Sequence, residues 1–315
     1  MARKTIGAIS ATVDYAVLAV IVLLLCFAAY ALWDSEQLYA AASGTNYTVY
    51  KPAEQNEGMS FVQLQAINPE VFSWLTVYGT NIDYPVVQST SNMKYVNTSA
   101  EGSYSLSGAI FLDSDSSKDF SDFNSILYGH HMEKKAMFGE IGDFLNKEVF
   151  ESHRYGNLFF DGKNHGIEFF AFLHVDAYDS KVFSFNVQNV ERQAYLDNLL
   201  ANGIHTRDIG ATTADRIVLL TTCSPRTTNG RDILVGRISD EVFENPFPDT
   251  QARVGGGHFT VDSPDSVWKL IPPWAWSFAC MIALVLLVLL VLLVPLLFMM
   301  QRRNEKQKLR LGGKQ

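Results

Sequence analysis

Two long apolar segments lie near the ends of the chain and divide it into three parts. The first spans residues 6–33 and contains the unbroken run YAVLAVIVLLLCFAAYALW, and the second spans residues 273–300. Each is long enough to cross a hydrocarbon layer of about 30 Å as a helix. Trp33, Trp274 and Trp276 stand at segment ends, where aromatic side chains favour the membrane interface. We therefore predict two transmembrane helices, at residues 6–33 and 273–300.

Between these segments, short apolar runs alternate with clusters of Gly, Asn, Asp and Ser. Runs rich in β-branched and aromatic residues cover 82–88, 107–113, 126–130, 155–163, 167–178, 216–223 and 232–239, and a further strand is expected before the turn at Gly79. This pattern predicts a mainly β barrel or sandwich rather than alternating βαβ units. Apolar residues at helical spacing predict helices over 137–152 and 186–202, and Asn68–Pro69 predicts the start of a short one.

Composition predicts where the folded domain begins and ends. Residues 34–60 are polar and predict a stalk with an N-terminal helix, and residues 61–242 hold the apolar runs of a folded domain. Residues 243–272 contain Pro and Gly without periodicity, which predicts a tether to the second membrane segment.

Charged residues indicate how the chain is oriented in a membrane. Residues 34–272 hold 31 of the 33 acidic residues but 17 of the 25 basic ones, and the basic residues of 1–5 and 301–315 flank the apolar segments. Because basic flanks stay in the cytoplasm, both termini are predicted there and residues 34–272 outside. A cleavable signal peptide is the alternative for the first segment, with Ala40–Ala42 as cleavage site, but the length of the run favours an anchor. The formal net charge of −8 argues against a nucleic-acid partner.

Cys223 is the one cysteine outside the two apolar segments, which contain Cys26 and Cys280. It therefore has no partner for an intramolecular disulfide within the outer domain. A lone cysteine is commonly a small buried residue. Alternatively it is a nucleophile, which needs a histidine to hold or move its proton and a donor for the oxyanion of an acyl-transfer intermediate.

Several residues could meet these needs. His130 and His131 follow the predicted strand ILYG, and a hairpin after the strand RIVLLTTC would bring Arg231 near Cys223. Arg226 competes with Arg231, although at a loop tip a solvated arginine is expected. Among the other histidines, His174 falls within a strand, where a structural role is expected. A metal site at the adjacent histidines is not favoured, because neighbours in a strand point to opposite faces and no third ligand stands at a recognisable spacing.

Three segments, in order, resemble those of the sortase family, class B: INPEVFSWLTVYGTNIDYPVVQ, then GAIFLD with NSILYGHHMEKKAMFGEIGDF, then LLTTC with GRDILVGRI, whose Arg231 stands eight residues after Cys223. The resemblance covers roughly residues 61–240. It implies a closed barrel of about eight strands, with N-terminal helices and a helical insert between late strands. It also implies that Cys223 is the nucleophile, His130 the catalytic histidine and Arg231 the active-site arginine, with Thr222 positioning substrate. No cofactor or metal is implied.

The resemblance further implies a membrane-anchored extracellular cysteine transpeptidase of a Gram-positive-type plasma membrane. Such an enzyme cleaves the sorting signal of a surface protein or pilin through a thioacyl intermediate, and an amine of a peptidoglycan precursor or a pilin lysine resolves it. Leu219 replaces the threonine that opens the usual signature. The second apolar segment resembles the pilus-building class C, so a class B enzyme with pilin-polymerising duty is a subsidiary hypothesis. A non-catalytic surface-binding module and a hydrolytic cysteine peptidase are the alternatives.

Overall fold

Eight strands close into a barrel, and a ninth is attached to its outside. The computed structural model describes residues 2–52, 59–184 and 187–247. The strands are β1 (Val71–Val77), β2 (Asp83–Val87), β3 (Ile110–Leu112), β4 (Asn124–Tyr128), β5 (Tyr155–Phe160), β6 (Lys163–Asp176), β7 (Gly203–Thr206), β8 (Arg216–Cys223) and β9 (Gly230–Ser239). Their order is β5-β1-β2-β3-β4-β8-β9-β6-β7, and an additional β5–β6 pairing closes the ring. The predicted closed barrel of about eight strands is confirmed.

The long strand β6 makes this closure possible, because it pairs with three neighbours. Its first half pairs with β5, most of its length pairs with β9, and β7 pairs beside Ala171–Leu173. Register shifts occur between Phe169 and Ala171 and between Phe172 and Leu173. Such irregularities bend a strand and increase its twist, which allows one strand to pair with successive partners.

Strand β8 is buried on both faces, which explains its continuous apolar run. Leu220 faces the barrel interior with Leu234 of β9, whereas Leu219 belongs to a second cluster on the outer face. Tyr195 and Leu199 of the helix α4 (Arg192–Ala201) contribute to that outer cluster. A strand covered on both faces shows no alternation of polar and apolar residues.

The other helices are α1 (Ala2–Ala41), α2 (Met59–Ile67) and α3 (Lys147–Ser152), and 3₁₀ helices cover Gly44–Tyr50, Lys94–Val96, Glu133–Lys135 and Ile141–Leu145. The helix predicted over 137–152 is therefore broken in two. Asn146 causes the break, because its side chain accepts a hydrogen bond from the Glu148 N–H and so starts α3 as an N-cap. The insert predicted over 186–202 is confirmed as a helix, but it begins only at Arg192, and residues 185–186 lie outside the described part of the chain.

The prediction of a helix starting at Asn68–Pro69 is wrong, because α2 ends before it. The buried Asn68 amide donates to the Tyr95 hydroxyl at 2.8 Å and to the Ala100 carbonyl at 2.9 Å. Its Oδ1 accepts from the Glu70 N–H at 3.1 Å, an Asx turn that leads the chain into β1.

Helix α1 contains a segment that is long and apolar enough to cross a membrane, with a mean hydropathy of 2.7. It continues as a helix to Ala41, so the first residues of the predicted stalk are helical. The compact unit that holds the barrel begins at Glu36. The predicted second span at 273–300, the tail at 301–315 and most of the tether at 243–272 lie outside the described residues, so these boundaries stay predictions.

The first residues of the predicted tether pack on the barrel. The ring of Phe243 stacks on Tyr155 with 4.4 Å between centroids, and that of Phe247 stacks on His153 at 4.7 Å. Gly79 has a φ of +82°, and a Cβ there would lie 2.8 Å from the Phe247 ring. Glycine is thus required both by this turn and by the aromatic packing beside it.

A buried histidine predicts a pH dependence of stability. His165 is 1% exposed and stacks on Phe160, and burial together with the charge of Arg216 lowers the pKa of its imidazole. Below about pH 6.5 the unfolded chain binds a proton that the folded chain binds less readily, so the free energy of unfolding should fall as pH falls. Denaturant unfolding of wild type and His165→Gln should be measured between pH 5 and 8. The free energy of unfolding should depend less steeply on pH in the variant than in wild type. Equal dependence on pH would contradict the burial of a neutral imidazole.

Candidate active site

Cys223 ends the strand that lies between β4 and β9. In the parallel β4–β8 pair Tyr128 is opposite Thr221, and in the antiparallel β8–β9 pair Cys223 is opposite Arg231. The Gly129 N–H donates to the Thr221 carbonyl at 3.2 Å, which continues the parallel pairing one residue beyond β4. His130 and Cys223 are each two residues beyond that matched pair. Neighbouring strands lie about 4.8 Å apart, so the register brings Cys223, His130 and Arg231 to one end of three adjacent strands.

Cys223 is exposed, although the strand that leads to it is buried. The alternative of a small buried cysteine is therefore wrong. Exposure is what a thiol needs in order to reach a peptide, whereas structural cysteines are usually enclosed.

His130 is half-buried and held by the backbone of the 3₁₀ helix at Lys94–Val96. Its Nε2 lies 2.9 Å from the Val96 carbonyl oxygen. Because a carbonyl oxygen can only accept a hydrogen bond, Nε2 carries the proton in this bond. In the neutral ring Nδ1 is then the acceptor nitrogen. The Phe138 N–H donates to the His130 carbonyl at 3.0 Å, so both the ring and the backbone of this residue are fixed.

Arg231 is half-buried, and its Nη1 donates to the Gly230 carbonyl at 3.1 Å. Its charge also reaches Tyr128 on the far side of β8. Burial and the Asp113 carboxylate raise the pKa of Tyr128 above its usual range, while the Arg231 guanidinium opposes that rise. Tyr128 and Arg231 thus flank the end of β8 from either side.

Comparison with known proteins identifies the family to which the chain belongs. The family model described as the sortase domain matches residues 75–238. A solved sortase B from the type II pilus of Streptococcus pneumoniae is 46% identical, with a TM-score of 0.51, over 57% of this chain and 98% of that one. A class B sortase of Streptococcus pyogenes involved in pilus biogenesis is 39% identical, with a TM-score of 0.54, over 58% and 100% of the two chains. Sortase B of Staphylococcus aureus is 29% identical over 182 residues, 56% of this chain and 74% of the relative.

The chain belongs to the sortase family, and within it to class B.

Membership makes this sortase a cysteine transpeptidase by class, and the matched region includes Cys223, His130, Arg231 and Thr222. The individual roles of these four residues stay predictions. Thr222 is 2% exposed and pairs with Asp232, so it lies on the sheet face opposite to Cys223 and Arg231. Contact of its side chain with a substrate would need that face to open.

Two further sequence predictions concern Arg226 and His174. Arg226 is exposed, as expected of a loop-tip arginine, but its Nη2 also donates to Asp232 Oδ1 at 2.5 Å, a bond that the sequence did not predict. His174 is satisfied within the structure, as expected, through a 2.8 Å bond between Nδ1 and the same carboxylate oxygen. Among the described residues, no three His, Cys, Asp or Glu side chains group closely enough to hold a metal ion.

Sequence reasoning missed the polar network that supports β4. The carboxylate of Asp113, directly after β3, accepts from the Tyr128 hydroxyl at 3.1 Å and from the Asn92 amide at 3.0 Å. Asp113 is 4% exposed. The available signal was Asp113 at the end of the apolar run GAIFLD and the hydroxyl of Tyr128 within the run ILYGH.

Gly129 offers a test of how closely His130 must be positioned. A Cβ on Gly129 would lie 2.5 Å from Ile110 Cδ1 and 2.7 Å from the Phe138 ring, so Gly129→Ala should shift Phe138 and the bonded His130. We expect the transpeptidation rate to fall by about 10- to 100-fold, because displacements near 1 Å have effects of that size. Gly142→Ala is the matched control, since its added methyl group meets only Asp232 Oδ2, at 3.5 Å. Equal rates for the two variants would contradict the positioning of His130.

Proposed function

We propose that this sortase is an extracellular, membrane-anchored transpeptidase in which Cys223 attacks a sorting signal with the help of His130 and Arg231. The observation that carries the proposal is the register, which brings an exposed thiol between a fixed histidine and an arginine. A nucleophile, a proton carrier and an oxyanion donor are the three groups that acyl transfer to a thiol requires.

In this proposal His130 carries the proton. Its Nε2–H is bonded to the Val96 carbonyl, so Nδ1 is the nitrogen that exchanges a proton with the Cys223 thiol or the leaving amine. A carbonyl acceptor on one ring nitrogen fixes the tautomer and the orientation of the ring. A protonated His130 and the Arg231 guanidinium would together stabilise the thiolate.

The reaction then proceeds in two balanced steps. The Cys223 thiolate attacks a backbone carbonyl carbon of the peptide, Arg231 donates to the oxyanion, and His130⁺ gives its proton to the amine as the C–N bond breaks. A thioester links Cys223 to the upstream fragment. An amine then attacks this thioester and loses its proton to His130, so that a new amide forms and the thiolate is released. Arg231 suits the oxyanion because its guanidinium remains charged and its donors are fixed in a plane.

The substrate in this proposal is a surface protein or pilin with a C-terminal sorting signal. The acceptor is an amine of a peptidoglycan precursor or a pilin lysine. Two relatives, at 46% and 39% identity, come from pilus systems, which favours a pilin as the protein that is joined. Helix α1 supports anchoring, because it contains an apolar segment long enough to span a membrane. The proposed topology, with a second span at 273–300 and both termini cytoplasmic, follows from the charge distribution.

The nucleophile can be tested directly by mass spectrometry. After incubation of the full-length chain in detergent with a library of sorting-signal peptides, we expect an acyl adduct on Cys223 and none in Cys223→Ala. An added amine should convert the adduct to an amide product, whereas a hydrolytic peptidase would release only the acid. A non-catalytic surface module would form no adduct with any peptide of the library, and that result would overturn the proposal.

The topology can be tested by labelling intact cells with a membrane-impermeant maleimide. Cys223 is exposed, and Cys26 and Cys280 lie in the apolar segments. We therefore expect labelling of wild-type protein in intact cells and its loss in Cys223→Ala. Labelling of Cys223 only after the cells are permeabilised would contradict an extracellular active site.

A further inference from the structure

A buried carboxylate lies directly beside the proposed active-site arginine and is bound by two side chains from different parts of the chain. Asp232 is 0% exposed. Its Oδ1 accepts from Arg226 Nη2 at 2.5 Å and lies 2.8 Å from His174 Nδ1. His174 Nε2 lies 3.2 Å from the Thr227 hydroxyl. We call these four side chains the loop clasp.

Charge gives the loop clasp its strength. A carboxylate removed from water is strongly disfavoured unless cations or hydrogen-bond donors replace its hydration. Within the part of the chain that the structure describes, Arg226 is the one arginine or lysine that forms an ion pair with Asp232. Arg226 and Thr227 come from the β8–β9 loop, whereas His174 comes from β6, a rigid barrel strand. The carboxylate therefore ties the loop to the barrel.

The loop that is tied in this way joins the two proposed catalytic residues. Cys223 directly precedes residues 224–229, and Arg231 directly precedes Asp232. The Gly230 carbonyl accepts from both the Ser224 N–H at 2.8 Å and Arg231 Nη1 at 3.1 Å. A displacement of the loop backbone would therefore move the arginine that is bonded to it.

Gly230 shows how closely the loop is packed against the clasp. A Cβ at this position would lie 2.0 Å from the Thr227 hydroxyl oxygen and 2.7 Å from His174 Cε1. Two members of the clasp therefore occupy the space that any side chain at Gly230 would need.

The clasp acts from the face of the sheet opposite to the reacting groups. Asp232 pairs with Thr222 and His174, whereas Arg231 pairs with Cys223, and alternate residues of a strand point to opposite faces. Asp232 and His174 therefore point away from a peptide bound at Cys223, and Arg226 is bonded to that same face through Asp232. In this inference the three residues act on the reaction through the backbone of the loop, as positioning residues.

We propose that the loop clasp of Arg226, Asp232, His174 and Thr227 fixes the β8–β9 loop so that Arg231 stays aligned with Cys223 during acyl transfer. This rests on the proposed roles of Cys223 and Arg231. Loss of the clasp should lower the rate of the chemical step while leaving peptide binding largely intact.

The test uses Arg226→Ala and Arg226→Lys in the full-length chain in detergent. The probes are iodoacetamide, which alkylates Cys223, and the library peptide that gives the highest acyl yield. For Arg226→Ala we expect kcat to fall by about tenfold or more, because small displacements of a group that acts in the reaction slow the chemical step. KM should change by less than about threefold. Alkylation of Cys223 at pH 7 should slow, because a displaced Arg231 stabilises the thiolate less. Arg226→Lys should restore kcat to within about threefold of wild type, because an ammonium group can still pair with Asp232.

Arg216→Ala is the matched control. It removes the pair Arg216–Asp240, at 2.8 Å, at the end of β8 that is far from Cys223. Because exposed ion pairs contribute little, kcat should stay within about twofold of wild type. Each rate is divided by the concentration of folded enzyme, counted as the Cys223 thiols that react in the folded protein. Partial unfolding of a variant is therefore not counted as a loss of catalysis. If Arg226→Ala unfolds, Arg226→Gln provides the same comparison with a neutral donor.

Several results would overturn the inference: an unchanged kcat in Arg226→Ala, an equal loss in Arg216→Ala, or no recovery in Arg226→Lys. Failure of the proposed function gives a different result: full activity of Cys223→Ala would show that Cys223 is not the nucleophile. Inactive Cys223→Ala together with fully active Arg226→Ala would overturn only the clasp.

Discussion

The parallel pairing of β4 with β8 is the constraint on which the proposed site depends. A parallel pair needs a long connection, and here the chain forms β5, β6, α4 and β7 before it returns beside β4. The antiparallel return from β8 to β9 is short, since only residues 224–229 separate the two strands. His130 is therefore positioned by the closure of the whole barrel, whereas Arg231 is positioned by one local hairpin. Any change that shifted β8 by a single residue would reverse the faces of Thr222 and Cys223.

Much of this arrangement could be predicted from the sequence, because the strands carry strong local signals. The run from Arg216 to Cys223 and the turn residues after it indicated a hairpin, and both strands are observed. Strand β7 was missed because it is only four residues long and none of its residues is buried, so it shows no apolar run. The helix at 137–152 was misjudged because the apolar spacing continues across Asn146, whose capping bond interrupts the helix. Local capping chemistry outweighed periodicity there.

Buried polar groups were beyond the reach of sequence reasoning, because their partners are distant in the chain. Asp113 meets Tyr128, Asp232 meets His174, and Glu168 meets Arg154 and Arg237, each across different strands or loops. A sequence shows a charged residue beside an apolar run but not the cation or donor that it meets after folding. Arg226 illustrates the problem, since a loop-tip arginine is ordinarily solvated and only the folded hairpin brings it onto Asp232.

The closure of the barrel also bears on how the folded domain avoids pairing with other chains. Within the described residues, each of the eight barrel strands has a hydrogen-bonded neighbour on both sides, and only β7 has one neighbour. Unpaired strand edges recruit other extended chains and start aggregation. Among the described strands, β7 alone has one side wholly unpaired, and it is four residues long, begins with Gly203 and carries the partly polar sequence GIHT. The folded barrel therefore offers little continuous free backbone to which a second copy of the chain could add a strand.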